Sequence, residues 1–348
     1  MSSTVSSDEY IKNEIIEEIN EVGRIKLRIF CEGSNQDQLL FSEGGLTFAD
    51  EFLTYGSCDA VWYETLTDAN GLSYDHPVVA LEGTDALSRN SSGNAQYQRF
   101  HHALGAVRNN IVGVYYLKAG NHKVRDDLYN MAATASRQTG NYYIVTQSLQ
   151  EVKHLLEIID QFGYLSPQMV EFLDKKLTEM ETIFSQDFLK RYNGDWEKFA
   201  EKRSTLIYDK YIIKHAGRMK RNFTDSSQRA GHIAVGEMYL SSYSFPEKHV
   251  FYLFAKMTNQ DFQDLDVSKS NDKEWNLLRN EPNVTLLARD DLVNLPSDIN
   301  LTLKHIENEP LKGEALTKYN QCLSRIMSLI ESGEIHIPKI QSLLESNK

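Results

Sequence analysis

Residues 57–84 read SCDAVWYETLTDANGLSYDHPVVALEGT, two apolar runs around an Asn70-Gly71 dipeptide. Asn and Gly tolerate the positive φ of a type I′ turn, whose twist matches that of paired strands, so the stretch predicts a β-hairpin. The turn also fixes which residues face one another. With Asn70 and Gly71 at the two central positions, Asp59 falls directly opposite Glu82, with Cβ atoms about 4.5–5.5 Å apart, and Thr84 joins them on the same face, opposite Ser57. Both acids stand where a buried strand would carry an apolar residue. Two like charges opposed in a sheet are destabilising unless a cation lies between them, and a divalent ion such as Mg²⁺, held by two carboxylates, water and substrate phosphate, meets that need. A longer loop would weaken the facing argument and bring Asp75 forward in place of Asp59.

Elsewhere the hydrophobic periodicity predicts an α/β order. Helical patterns occupy residues 8–22, 94–107 (with Ser91 or Ser92 as caps), 124–137 and 148–162, and LTFADEF (46–52) reads as a short helix. Strand patterns occupy 25–30, 111–117 and 141–145, and Gly140 is placed to end the preceding helix. Helices alternating with strands around a hairpin imply one mixed central sheet flanked by helices. Beyond about residue 164 the pattern becomes mainly helical, with a long segment at 167–192, strand-like runs at 249–255 and 283–288, and a last helix at 314–331. We therefore expect an N-terminal α/β domain over 1–165 and a mainly helical region over 166–348.

This layout, an acid on each hairpin strand followed by helix, strand and helix, resembles the PD-(D/E)XK nuclease superfamily, the fold of many type II restriction endonucleases. The resemblance covers about the first 160 residues and is carried by CDAVWY (58–63), VVALEGT (78–84), and the helix SSGNAQYQRFHHALG with the strand IVGVYYL behind it. It implies that Asp59 and Glu82 bind the metal, Mg²⁺, in phosphodiester hydrolysis. It further implies an N-terminal catalytic domain, with the C-terminal region serving DNA contact and dimerisation. The chain departs from the family at one place: the Lys expected two residues after the second acid is Thr84. Arg99 on the following helix is the preferred replacement, ahead of Gln98, Lys118 and Lys123, with Glu17 and Glu51 as auxiliary acids.

The chain's net charge of −12 argues mildly against binding nucleic acid through overall electrostatics, but its distribution is uneven. Residues 202–229 hold eight Lys or Arg against Asp209 and Asp225, within a segment read as mainly helical. Lys214, Arg218, Lys220, Arg221, Asn222, Gln228 and Arg229 are of the types that contact phosphates and base edges, making this the expected contact with double-stranded DNA. A palindromic site would require a twofold protein, hence an expected homodimer. Cys31, Cys58 and Cys322 lack disulfide or zinc spacing, and no window is apolar enough to span a bilayer, so a cytoplasmic protein is expected. His101 and His102 are adjacent on a helix and read as surface or core residues rather than ligands. Two other readings compete: a catalytically inactive nucleic-acid-binding protein on a degenerate nuclease fold, and an unrelated α/β enzyme. No Gly-rich phosphate loop, serine elbow or HExxH motif supports the second.

Overall fold

The computed structural model describes residues 7–29, 40–42, 45–47, 54–56, 58–88, 96–97, 99–201, 205–215, 242–263, 281–307, 309 and 311–346. The chain divides into two compact units, Met1–Arg191 and Tyr192–Lys348. The architecture is the expected mixed α/β one, with two mixed sheets flanked by helices and a helical C-terminal region.

In the first unit, α1 (Ser7–Glu18) leads into β1 (Lys26–Ile29). A small antiparallel sheet follows, made of β2 (Leu40–Ser42), β3 (Gly45–Thr47) and β4 (Thr54–Gly56). Leu46 and Thr47 therefore lie in a strand, not the short helix expected over 46–52, whose remaining residues lie outside the described set. Thr47 is β-branched and Gly45 favours a hairpin corner, which local helical spacing does not weigh. The central sheet is completed by β5 (Ala60–Thr67), β6 (Ser73–Thr84), β7 (Val112–Leu117) and β8 (Tyr143–Thr146), in the order β1-β5-β6-β7-β8.

The first three strands of that sheet form an antiparallel meander, while β7 and β8 add in parallel. The parallel crossovers are made by α2 (Phe100–Arg108) and α3 (Asp126–Thr139). Both helices start later than the periodicity suggested. Gly140 ends α3 at φ +70°, with its N–H on the Ser136 carbonyl. Then α4 (Leu149–Phe162), capped by the Ser148 hydroxyl, buries Leu149, Val152, Leu155, Leu156 and Ile159, and α5 runs unbroken over Pro167–Tyr192.

The hairpin turn has three residues, Ala69 to Gly71, rather than two. Asp68 and Leu72 close it through Asp68 N–H to Leu72 O, and the Asp68 carboxylate accepts from the N–H groups of Asn70 and Leu72. Only Gly71 has positive φ, at +82°, the left-handed position of a three-residue loop. This shifts the distal ladder by one residue, pairing Thr67 with Ser73 and Tyr63 with Pro77. A bulge at Val78 inserts an extra residue in β6 beside Pro77, which has no N–H to give the ladder. Past it Trp62 pairs with Val79 and Ala60 with Leu81, the register that a two-residue turn implied; Asp59 directly precedes Ala60, and Glu82 directly follows Leu81. The expected turn was wrong, and the bulge restores the register that it implied.

The second unit is richer in strands than expected. Following α6 (Trp196–Glu201) come β9 (Thr205–Ile207) and β10 (Tyr211–His215), antiparallel partners within the basic window that had been read as helical. The β-branched and aromatic run TLIYDKYIIKH explains this, since it packs on a pleated surface better than on a helix. Then β11 (His249–Phe254) and β12 (Val284–Ala288) add in parallel to β10, with α7 (Asn259–Gln263) between them in the chain. The apolar faces of α8 (Ser297–Ile306) and α9 (Gly313–Glu331) supply Ile299, Leu303, Ile306, Leu323 and Ile326 to the core with Phe251 and Leu253. The expected last helix is followed by another, α10 (Pro338–Ser346).

Candidate active site

The site lies at the end of the central sheet where β5 begins and β6 finishes. Asp59 precedes β5 and Glu82 is near the C-terminal end of β6, and both are buried, at 5% and 1% exposure. Their burial is costly, since a carboxylate loses hydration that neighbours must replace.

The replacement comes from both faces of the sheet. On one face α2 presents Arg99, at its N-cap, and His102 one turn on. Arg99 Nη1 lies 3.0 Å from Glu82 Oε1 and 4.0 Å from Asp59 Oδ2, and His102 Nδ1 lies 3.1 Å from Glu82 Oε2. On the other face α1 brings Lys12 Nζ to 3.7 Å from Asp59 Oδ1. The Gly83 N–H donates to Asp59 Oδ2 at 2.9 Å. α1 packs closely here: a Cβ on Gly83 would collide with Ile11 Cγ2. Ile11, Ile15 and Ile19 form its buried stripe, which carries Lys12 to the acids.

The segment leading to Arg99 is anchored from below. Tyr115 on β7 donates its hydroxyl to the Gln96 carbonyl at 2.9 Å, and the Gln96 side chain bridges the Lys123 carbonyl and the Arg125 N–H. Tyr97 donates to buried Asp127 at 2.6 Å and accepts from Arg125 Nε at 3.0 Å.

Even with Arg99 and Lys12 beside it, Asp59 is incompletely compensated. Burial, reinforced by the Glu82 charge, pushes the Asp59 carboxyl up to about 7 against the opposing pull of Arg99, the Gly83 N–H and Lys12. Burial and the same two carboxylates push the adjacent Cys58 thiol well up.

The structure therefore brings together Asp59, Glu82 and Arg99. Thr84 follows on β6, half-buried, and its hydroxyl accepts from the Ala86 N–H at 3.2 Å at the start of a 3₁₀ turn, Ala86–Ser88. Lys118 is engaged with Tyr10 and Glu14, Glu17 is exposed on α1, and Asp75 pairs with Arg28 far along the hairpin. Gln98 and Glu51 lie outside the described residues. So do Arg218, Lys220, Arg221, Asn222, Gln228 and Arg229 of the expected DNA-contact set. Its remaining member, Lys214, is buried at 6% exposure in β10, a setting unsuited to a phosphate contact.

Sequence reasoning missed Lys12 and His102. His101 is buried while His102 reaches Glu82, so the divergence of neighbouring helical residues separates their roles. His102 stands three residues after Arg99, on the same helical face, which was the available signal. For Lys12 none existed, because only the packing of α1 on Gly83 places it.

Among the described residues no three His, Cys, Asp or Glu form a group that could hold a metal ion. The facing carboxylates are nonetheless the hard oxygen donors that suit Mg²⁺ with water and substrate oxygens completing its shell, and the raised Asp59 carboxyl is consistent with room for further positive charge. No family model matches this chain, nor does any curated protein or solved structure.

Proposed function

We propose that the chain is a Mg²⁺-dependent, site-specific double-stranded DNA endonuclease of the type II restriction class. The observation that carries this reading is the two buried carboxylates of Asp59 and Glu82 at one end of a mixed sheet, with Arg99 Nη1 4.0 Å from the first and 3.0 Å from the second. The order helix, three-stranded meander, helix, parallel strand supports the resemblance to PD-(D/E)XK nucleases.

Asp59 and Glu82 would hold the ion, which when bound supplies Lewis acidity toward a phosphodiester and its attacking water. The chain's own part is positional and electrostatic. Gly83 N–H fixes one Asp59 oxygen, Arg99 fixes one oxygen of Glu82, and His102 Nδ1 lies 3.1 Å from the other. Arg99 then adds positive charge where the phosphoryl oxygens become more negative. In the reaction a water oxygen bonds to phosphorus, the bond to the leaving sugar oxygen breaks, the water gives up a proton and the leaving oxygen gains one. No covalent link to the chain forms. Cutting both strands of a palindrome would use a homodimer.

The competing reading, an inactive nucleic-acid-binding module, draws on Thr84, whose hydroxyl is committed to the Ala86 N–H and carries no charge. Incubating the protein with unmethylated phage DNA in Mg²⁺ or EDTA, beside Asp59→Ala and Glu82→Ala, separates the two. Discrete fragments that require Mg²⁺ and both acids support the nuclease; intact DNA that is still retarded in a gel supports the binding module.

A further inference from the structure

Among the described residues Lys12, Arg99 and His102 meet the two acids, and they are not equivalent. Arg99 and His102 come from α2 and lie within hydrogen-bond distance of Glu82. Lys12 comes from α1 and approaches Asp59 rather than Glu82, with Nζ at 3.7 Å from Oδ1, an ion-pair separation rather than a hydrogen bond to that oxygen. Its side chain is 15% exposed, so the ammonium lies at the boundary between the buried acids and solvent.

The helix that carries it has little freedom to shift. Ile11 fills the space above Gly83, and Ile15 and Ile19 are buried in the same stripe. Lys12 is thus aimed by Ile11 and Ile15 on its own helix and by Ile19 just beyond its end. The flexible four-carbon stem of Lys12 can adjust without moving its backbone, whereas the planar Arg99 guanidinium lies 3.0 Å from Glu82 and 4.0 Å from Asp59. The Lys12 ammonium brings Asp59 a second positive charge beside that of Arg99, delivered by a different helix.

We infer that Lys12 is a catalytic residue of this site, its ammonium contacting the scissile phosphodiester or the attacking water as negative charge develops there. This rests on the nuclease reading above and deepens it. It assigns the charge that Thr84 cannot supply to a residue more than seventy positions earlier in the chain, delivered by helix packing. The gain is electrostatic: a charge held at the rim of a dry site counts for more than one in bulk water, and it acts on the transition state more than on the bound ground state.

The test compares wild type, Lys12→Met, Lys12→Gln and Asp59→Asn as full-length proteins. Three quantities are read: single-turnover cleavage of a plasmid in Mg²⁺, Mg²⁺ affinity by calorimetry without DNA, and DNA affinity in Ca²⁺. The neutral Lys12 variants should cut at least about 100-fold more slowly, the scale of losing one electrostatic donor. They should bind Mg²⁺ as tightly as wild type or more tightly, since a competing cation has left Asp59, and bind DNA within about threefold. Asp59→Asn should lose cleavage and Mg²⁺ binding together. A folded Lys12→Met or Lys12→Gln that cuts within threefold of wild type overturns the assignment while leaving the nuclease reading intact. So does a variant that loses cleavage, Mg²⁺ binding and DNA binding together, because that is the pattern of a structural residue. Wild-type protein that leaves every DNA substrate intact overturns the nuclease reading, and Lys12's role with it.

Discussion

Ile11 and Gly83 occupy one another's space: the methyl group of the helix sits where a side chain on the strand would begin. That contact sets the distance between α1 and the sheet, and with it the position of Lys12 over Asp59.

Gly83→Ala should therefore destabilise the protein by about 1–3 kcal/mol, the range of overpacking a filled core. Combined with Ile11→Ala, which opens the space, the loss should be smaller than the sum of the single losses. Urea unfolding of the four proteins measures the coupling. Simple additivity would mean that the helix yields without resistance.

Removing charge from the acid pair should strengthen the fold while abolishing activity. Asp59→Asn relieves a buried carboxylate opposed to Glu82 and should raise stability by about 1–3 kcal/mol near neutral pH. Cleavage in Mg²⁺ should fall below detection in the same protein. A variant that loses stability would place Asp59 among structural acids, its charge well satisfied by Arg99 and Lys12.

Asp126 opens α3 and is held against Asp187 and Arg191 of α5, with Asp127 beside it. Burial, the hydrogen bond with Asp187 and the Asp127 charge raise its carboxyl to about 6, from an ordinary value of 3.8, despite Arg191. The folded state then holds a proton that the unfolded chain has released between those two values. Its contribution to stability is complete at low pH, declines as pH rises from about 4 to 6, and is lost above. Asp126→Asn, which keeps a donor for Asp187, should flatten that decline. Thermal unfolding of both proteins at intervals from pH 4 to 8 reads it, and parallel curves would reject the assignment to Asp126.

Tyr115→Phe should slow cleavage by about tenfold without touching the acids, because it leaves the Gln96 carbonyl without its buried donor and loosens the segment that carries Arg99. The stability cost should be about 1–3 kcal/mol. Rates measured at saturating Mg²⁺ and DNA isolate the effect on turnover; an unchanged rate would show that α2 holds Arg99 in place unaided.

The central α/β order was legible because its signals are local: a hairpin dipeptide, buried apolar strands, and a Gly ending α3. The register beside Asp59 and Glu82 was legible too, but through two departures that cancelled. Gly71 made the turn one residue longer than assumed, and Pro77 forced an extra residue into β6. The residues that sequence could not supply, Lys12 and His102, come from helices whose docking is decided by tertiary packing. The second unit was harder to read, since β9 and β10 are short and charged residues interrupt their apolar pattern.

The bulge at Val78 divides the hairpin into two lengths of ribbon with different obligations. On the sheet side, parallel pairing with β7 from Val79 onward fixes the phase of every side chain up to Thr84. On the far side, among the described residues, 63–77 pair with each other and with the end of β1. The outer ribbon can thus gain or lose paired residues, or exchange one turn for another, without rotating Glu82 away from Asp59. If the site cuts DNA as proposed, the ribbon beyond the bulge is where it can vary its contacts and leave its chemistry untouched.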